Sequence, residues 1–147
     1  MIVQIKREYR DVINIKGITL LSSTEFEKFK KIIPSTFHRW WLRDALKINN
    51  EYFPCLVEND GRIFPLPKRN IKYGIRPVLL IESDMEVGTE FNFARYDWTV
   101  LNNDMAICNW IIGQELFKKD LTAEDFHEYD TSDIKKYLID WATVYGI

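Results

Sequence analysis

The side chains in this 147-residue chain with the right chemistry for a reactive site are few: two cysteines, two histidines and a surplus of acids toward the C-terminus. Cys55 and Cys108 stand far apart, match no paired metal-ligand spacing, and sit among apolar neighbours, the setting of buried free thiols. His38 and His127 are isolated, with no second His or Cys at ligand spacing, so no metal site is expected. A Cys55–His38 nucleophilic pair would have to be assembled by folding. The six glycines form neither GxGxxG nor a P-loop, so no phosphate cradle and no cofactor are expected. Glu58-Asn59-Asp60 offers calcium two carboxylates and an amide, but Gly61 follows directly, and the four read as a type I′ hairpin tip. Paired carboxylates abound near the C-terminus, yet no spacing sets two across a cleft. No catalytic residue is assigned, and a non-enzymatic role is expected.

Two stretches are candidate binding surfaces. Lys68, Arg69 and Asn70, with Lys72 and Tyr73, make a basic loop with an aromatic, the minimum for phosphate-backbone contact. So short a patch also reads as a solvated loop, and direct nucleic-acid binding is not expected. Asp120, Glu124, Asp125 and Glu128 lie in an acidic stretch, Glu115 to Asp133, relieved only by Lys118 and Lys119. It reads either as a docking surface for a basic protein or as first-turn helix charge with a solvated loop.

These surfaces sit in a chain of near-neutral charge. Twenty Lys and Arg against 22 Asp and Glu give −2, but residues 1–76 carry +7 and residues 77–147 carry −9. Either the fold has a basic and an acidic face, or the halves interleave and neutralise one another. At this length one domain buries enough surface to fold without disulfides or metal. No charged segment leads into an apolar one, and no apolar run approaches the ~18 residues of a membrane span. A cytoplasmic protein with reduced thiols is expected, with no membrane partner.

The elements that must position these residues are legible in outline. Ile2–Ile5 and Val12–Ile15 read as two strands around a charged turn, an N-terminal hairpin or extension over 1–16. Ser22 with Glu25 is a capping-box signature, and Phe26, Phe29, Ile32 and Ile33 continue at helical spacing until Pro34, predicting a helix over about 23–33. Trp40-Trp41-Leu42-Arg43 is an aromatic strand in which adjacent tryptophans point apart. Phe53–Val57 and Arg62–Phe64 form a hairpin across Asn59-Asp60-Gly61. Ile75–Ile81 reads as one strand, with Pro77 marking an edge or bulge. Glu90–Phe93, Tyr96–Val100 and Met105–Ile112 follow as strands, and a helix is predicted over about 131–143, with Ile134, Tyr137, Leu138 and Trp141 on one face.

Trp40-Trp41-Leu42-Arg43, the Asp60-Gly61 turn and Tyr73-Gly74-Ile75-Arg76-Pro77-Val78-Leu79 together resemble a bacterial and phage family of unknown function. That family's signature runs WWLRS, a variable stretch with a DG turn, then YGVRPAL, and it resembles the C-type-lectin-like fold of formylglycine-generating enzymes and phage receptor-binding tips. Gly88–Phe93 with Tyr96-Asp97-Trp98-Thr99-Val100-Leu101 is similar to the family's opening motif, and Tyr129–Leu138 to its terminal helix. In the family the second of these halves comes first. The resemblance therefore implies a circular permutation, with 17–82 and 88–143 as exchanged halves joined through Ser83–Gly88, and strands near 75–82 and 89–93 as antiparallel neighbours.

The resemblance implies a single α+β, C-type-lectin-like domain over 1–147, with one twisted antiparallel sheet and two helices. Trp40, Trp41, Arg43, Gly74, Arg76, Pro77 and Trp98 form its structural signature, and the two arginines are expected to bond backbone at turns or strand ends. Asp44 replaces the usual serine, and Ala45–Glu51 replaces the Asn/Gly-rich variable stretch, implying a specialised exposed surface. The implied function is non-enzymatic recognition of a host protein by a phage or mobile-element product. An anti-defence inhibitor would present the acidic surface to a basic, nucleic-acid-binding protein. A carbohydrate or small-ligand binder, a structural virion subunit and a remote formylglycine-type enzyme with a reactive Cys55 or Cys108 are the alternatives.

Overall fold

The computed structural model describes residues 1–6, 11–64 and 69–147. Eleven strands and two helices follow one another among these residues. The strands are β1 (Ile2–Lys6), β2 (Asp11–Thr19), β3 (Trp40–Ile48), β4 (Glu51–Val57), β5 (Ile63–Phe64) and β6 (Tyr73–Ile75). They continue as β7 (Val78–Glu82), β8 (Glu90–Phe93), β9 (Tyr96–Asn102), β10 (Met105–Cys108) and β11 (Gly113–Glu115). Helix α1 spans Ser23–Phe29 and α2 spans Asp133–Val144.

The fold is mixed α+β with two helices and two sheets, one of them a curled antiparallel half-barrel. The single sheet expected from sequence is therefore corrected to two. Six strands pair in the order β1-β2-β7-β10-β9-β8 and five in the order β11-β6-β3-β4-β5. The reason lies at Arg76-Pro77. The run Ile75–Ile81 is not one strand, because proline has no N–H to give a ladder. The chain leaves one sheet after Ile75 and enters the other at Val78. It crosses back after Cys108, so the apolar run to Ile112 is likewise divided. Cys108 N–H bonds Pro77 C=O at 2.9 Å and Ile112 N–H bonds Ile75 C=O at 2.9 Å, which holds the two crossings side by side.

The pairing implied by a permuted join is absent. β7 pairs with β2 and β10, while β8 pairs with β9. Strands β10 and β9 lie between them in the sheet. The reversed motif order thus has no counterpart in strand adjacency. The N-terminal strands do form a hairpin, and β2 runs on to Thr19 as the bridge between that hairpin and β7.

Strand alternation sorts the core into layers. Trp40 and Leu42 of β3 meet Phe26 and Phe29 of α1, Cys55 and Val57 of β4, and Val78, Leu101 and Ile107 from the other sheet. Trp41 and Leu56 point the opposite way, into a layer with Ile75, Phe117, Ile134 and Leu138. A third layer, Leu79, Ile81, Trp98, Val100 and Ala106, is flanked by Trp141 of α2. The adjacent tryptophans are thus both buried, on opposite faces.

Local chemistry explains the element ends. Ser22 accepts from Glu25 N–H at 3.1 Å while Glu25 accepts from Ser22 N–H at 2.9 Å, closing the capping box. Helix α1 ends at Phe29, earlier than expected, because Ile32 and Ile33 both turn their N–H groups onto Phe29 C=O ahead of Pro34. Ser132 caps α2 by accepting from Lys135 N–H. The stretch Ala45–Glu51 is a strand and hairpin turn, with Lys47, Asn49, Asn50 and Glu51 exposed. Ala45–Ile48 continue β3, and Asn49 and Asn50, at φ 50° and 67°, make a two-residue hairpin turn into Glu51. The Glu58–Gly61 tip is also different from expectation. Gly61 has φ 82°, its N–H bonds Glu58 C=O at 2.9 Å, and neither Asn59 nor Asp60 has positive φ. That is a type I turn closed by a glycine bulge, which needs only one residue at positive φ.

Interleaving decides the charge question at the level of the sheets. β2, from the basic half, lies beside β7, and β11, from the acidic half, lies beside β6.

Candidate functional site

Where α1 stops, its last turn and the following loop face the β4–β5 hairpin tip across an open cleft of about 440 Å³. One wall is Phe26, Lys30, Ile33 and Pro34, the other Val57 to Arg62, and Trp40 and Arg76 close the bottom. The volume lies within the range of small-ligand sites.

Arg76 is placed there by the crossover. Its side chain is 1% exposed. Nε–H donates to Cys108 C=O at 2.7 Å and an Nη2–H to Pro34 C=O at 2.6 Å. The guanidinium carbon lies 5.1 Å from the centre of the Trp40 ring, in reach of its π face. Burial pushes the Arg76 pKa down to about 10, a cost that the neighbouring Cys108 sulfur offsets in part. Charge pairing singles this residue out. Among the other charged residues lining the cleft, Lys30 pairs with Glu27 at 2.7 Å, Glu58 with Arg39 at 2.7 Å and Asp60 with Arg62 at 2.6 Å. Arg76 has no carboxylate partner among the described residues.

The loop over the cleft is anchored. Pro34 C=O is held by Arg76, Thr36 Oγ1 donates to His38 C=O at 3.0 Å, and Arg39 C=O accepts from Gly74 N–H at 2.9 Å. Between these ties Phe37 is 89% exposed. Neither Phe37 nor the cleft was singled out from sequence. The available signal was an aromatic set between a helix-stopping proline and a strand.

The acidic stretch is occupied largely with its own structure. Asp125 pairs with Lys118 at 2.9 Å and accepts from Thr131 Oγ1 at 2.7 Å, and these contacts, Lys118 foremost, hold its carboxyl below the usual range. Asp120 accepts from the N–H and hydroxyl of Thr122, Asp133 from Lys119 N–H, and Asp130 pairs with Lys135. Glu124 and Glu128 are exposed and have no ion pair among the described residues. They are what the four candidate acids leave for a partner.

Of the basic loop's described residues, Tyr73 does not join Arg69 and Asn70 at the surface. Tyr73 is buried, edge-on to Trp41 at 5.1 Å, because the β6 alternation turns it inward. Arg69 lies over Phe126 at 4.4 Å, Asn70 is exposed, and Lys68 lies outside the described residues. Basic and acidic segments thus touch one another through the Arg69–Phe126 contact.

The signature residues have defined geometry. Trp41 Nε1–H donates to Glu115 C=O at 2.9 Å and Trp98 Nε1–H to Phe93 C=O at 2.8 Å. Arg43 donates to Leu20 C=O at 2.8 Å and pairs with Glu25. A bulge in β3 between Trp41 and Ala45 aims Arg43 and Asp44 at the start of α1, where Asp44 accepts from Ser23 N–H at 2.7 Å. Both thiols are fully buried and free, and burial first of all pushes each up to about 11. At neutral pH they are protonated and screened from solvent. His38 is exposed, and His127 stacks on Tyr52 at 4.8 Å.

Among the described residues no three His, Cys, Asp or Glu converge to hold a metal ion, and no helix is long and apolar enough to cross a membrane. No protein-family model, curated protein or solved structure matches the chain.

Proposed function

We propose that the protein is a non-enzymatic recognition module, encoded by a phage or other mobile element, that binds a host protein through the face formed by residues 34–39 and the 58–62 turn. Phe37 carries the reading. A large aromatic fully offered to water on a loop tied down at both ends is preorganised in the way interface anchors are. The acidic stretch is the secondary contact, reduced to Glu124 and Glu128. The C-type-lectin-like assignment is part of the same proposal and rests on Trp40–Arg43 and Tyr73–Pro77.

The test is affinity capture from host cells with wild type, Phe37→Ala and the double variant Glu124→Lys/Glu128→Lys, followed by direct titration of the captured protein. The expected result is loss of about 2 kcal/mol or more of binding in Phe37→Ala and little in the double variant. Loss in the double variant alone moves the interface to the acidic side. Equal binding by all three overturns the reading.

A further inference from the structure

We infer that the cleft above Arg76 is a binding site for an organic carboxylate with a short apolar body. The inference shares residues 34–36 and 58–62 with the Phe37 reading but rests on a separate observation, the unpaired charge at the floor of the cleft.

A buried cation needs a counter-charge or a full set of acceptors, because moving it out of water costs several kcal/mol. Arg76 has two carbonyl acceptors and no carboxylate, while the other lining charges Lys30, Glu58, Asp60 and Arg62 are already paired. Among the described residues, Nη1 has no hydrogen-bond acceptor. Among the described residues no fully buried side-chain nitrogen or oxygen lacks a partner. Nη1 is therefore not sealed in the core, and Arg76 lines the cleft. The carbonyls of Cys108 and Pro34 fix the guanidinium through Nε and Nη2, and although Arg76 is 1% exposed, Nη1 is the donor left at the floor of the cleft.

The ligand class follows from the walls. One unpaired positive charge matches a monoanion, whereas a phosphate dianion would bring a second charge with no free cation to meet it. Phe26, Ile33, Val57 and Trp40 offer apolar surface next to that charge, fit for a short hydrocarbon or aromatic body. The depressed Arg76 pKa accords with a guanidinium that a bound carboxylate would stabilise. Such a carboxylate belongs either to a free small acid or to the end of a peptide chain.

The full-length protein, labelled with ¹⁵N-arginine, is titrated with hexanoate, hexanamide, inorganic phosphate, and a short apolar peptide with a free or amidated C-terminus. The signals read are the Arg76 Nε and Nη resonances, with calorimetry in parallel. Hexanoate is expected to shift the Arg76 signals saturably and to bind at least about tenfold more tightly than hexanamide. Binding of the free-ended peptide as well assigns the site to chain termini, and its failure beside hexanoate binding assigns it to free acids. Ser35→Trp, an exposed substitution at the rim that leaves the Arg76 hydrogen bonds alone, is expected to abolish the shift while preserving the thermal transition. Equal affinity for hexanoate and hexanamide, tighter binding of phosphate, or no saturable shift with any probe overturns the inference.

Discussion

Arg76 Nε–H donates to the carbonyl of Cys108 at 2.7 Å, so one guanidinium ties together the two segments that pass between the sheets. The same side chain holds Pro34, fixing the loop that follows α1. Arg76→Ala removes two charge-assisted bonds and leaves two carbonyls short of a donor. The expected loss is about 3 kcal/mol, read as a lower urea midpoint with an unchanged m-value. Arg76→Lys, which can satisfy only part of this geometry, should fall between the two.

Gly74 is required by space rather than by its dihedrals. A Cβ there would lie 2.8 Å from Arg39 C=O and 2.6 Å from the Ile111 side chain, and the backbone oxygen cannot swing aside. Gly74→Ala should destabilise by about 1–3 kcal/mol. Because Gly74 N–H also holds Arg39, the substitution should raise amide exchange at residues 34–39 above that of the sheets.

Cys55 and Cys108 are expected to resist a thiol reagent such as dithionitrobenzoate at neutral pH in the native protein and to react fully in denaturant. Burial raises their folded pKa values from 9.0 to about 11, so the folded state keeps its thiol protons longer than the unfolded chain. Their contribution to stability is present below pH 9 and is lost as pH rises toward 11. The melting temperature should therefore fall across that window, and less steeply in Cys55→Ala and Cys108→Ala.

Glu25 titrates with the opposite sign. Burial alone would raise its pKa, but Arg43 and Ser22 N–H together outweigh burial and hold it below 4.5. The capping box therefore supports α1 above that pH and fails as pH falls through the folded value. Ser22→Ala should cost about 1 kcal/mol at neutral pH, and Glu25→Gln should flatten the acid limb of the stability profile.

Phe37→Ala should leave the melting temperature within the range of a neutral surface change, about 0.5 kcal/mol, since its ring packs against little. Trp40→Ala, 2% exposed and edge-on to Phe26 at 5.6 Å, should lose about 3–5 kcal/mol. Urea titration of the two variants side by side distinguishes a surface aromatic from a core one.

What could be read in the sequence was local. Ser22 and Glu25 three residues apart announce α1, the helical spacing of Ile134, Tyr137, Leu138 and Trp141 announces α2, and alternation places Trp40 and Trp41 on opposite faces, because caps, helical periods and pleats depend on near neighbours. The burial of both thiols was likewise legible in their apolar surroundings. Tertiary structure decided the rest. Pro77 between two apolar runs looks like a flaw in one strand until the second sheet is present to receive Val78, since a missing N–H says only that pairing stops. Asp125 and Asp120 read as free charge until Lys118 and Thr122 are seen to engage them. Arg76 is the clearest case: its sequence neighbours suggest a turn-fixing arginine, and only the meeting of α1, the hairpin tip and two crossing strands leaves it the one unpaired charge lining a cleft among the described residues. Sequence spacing carries no information about such distant partners, because the field around a charge is set by everything the fold brings near it.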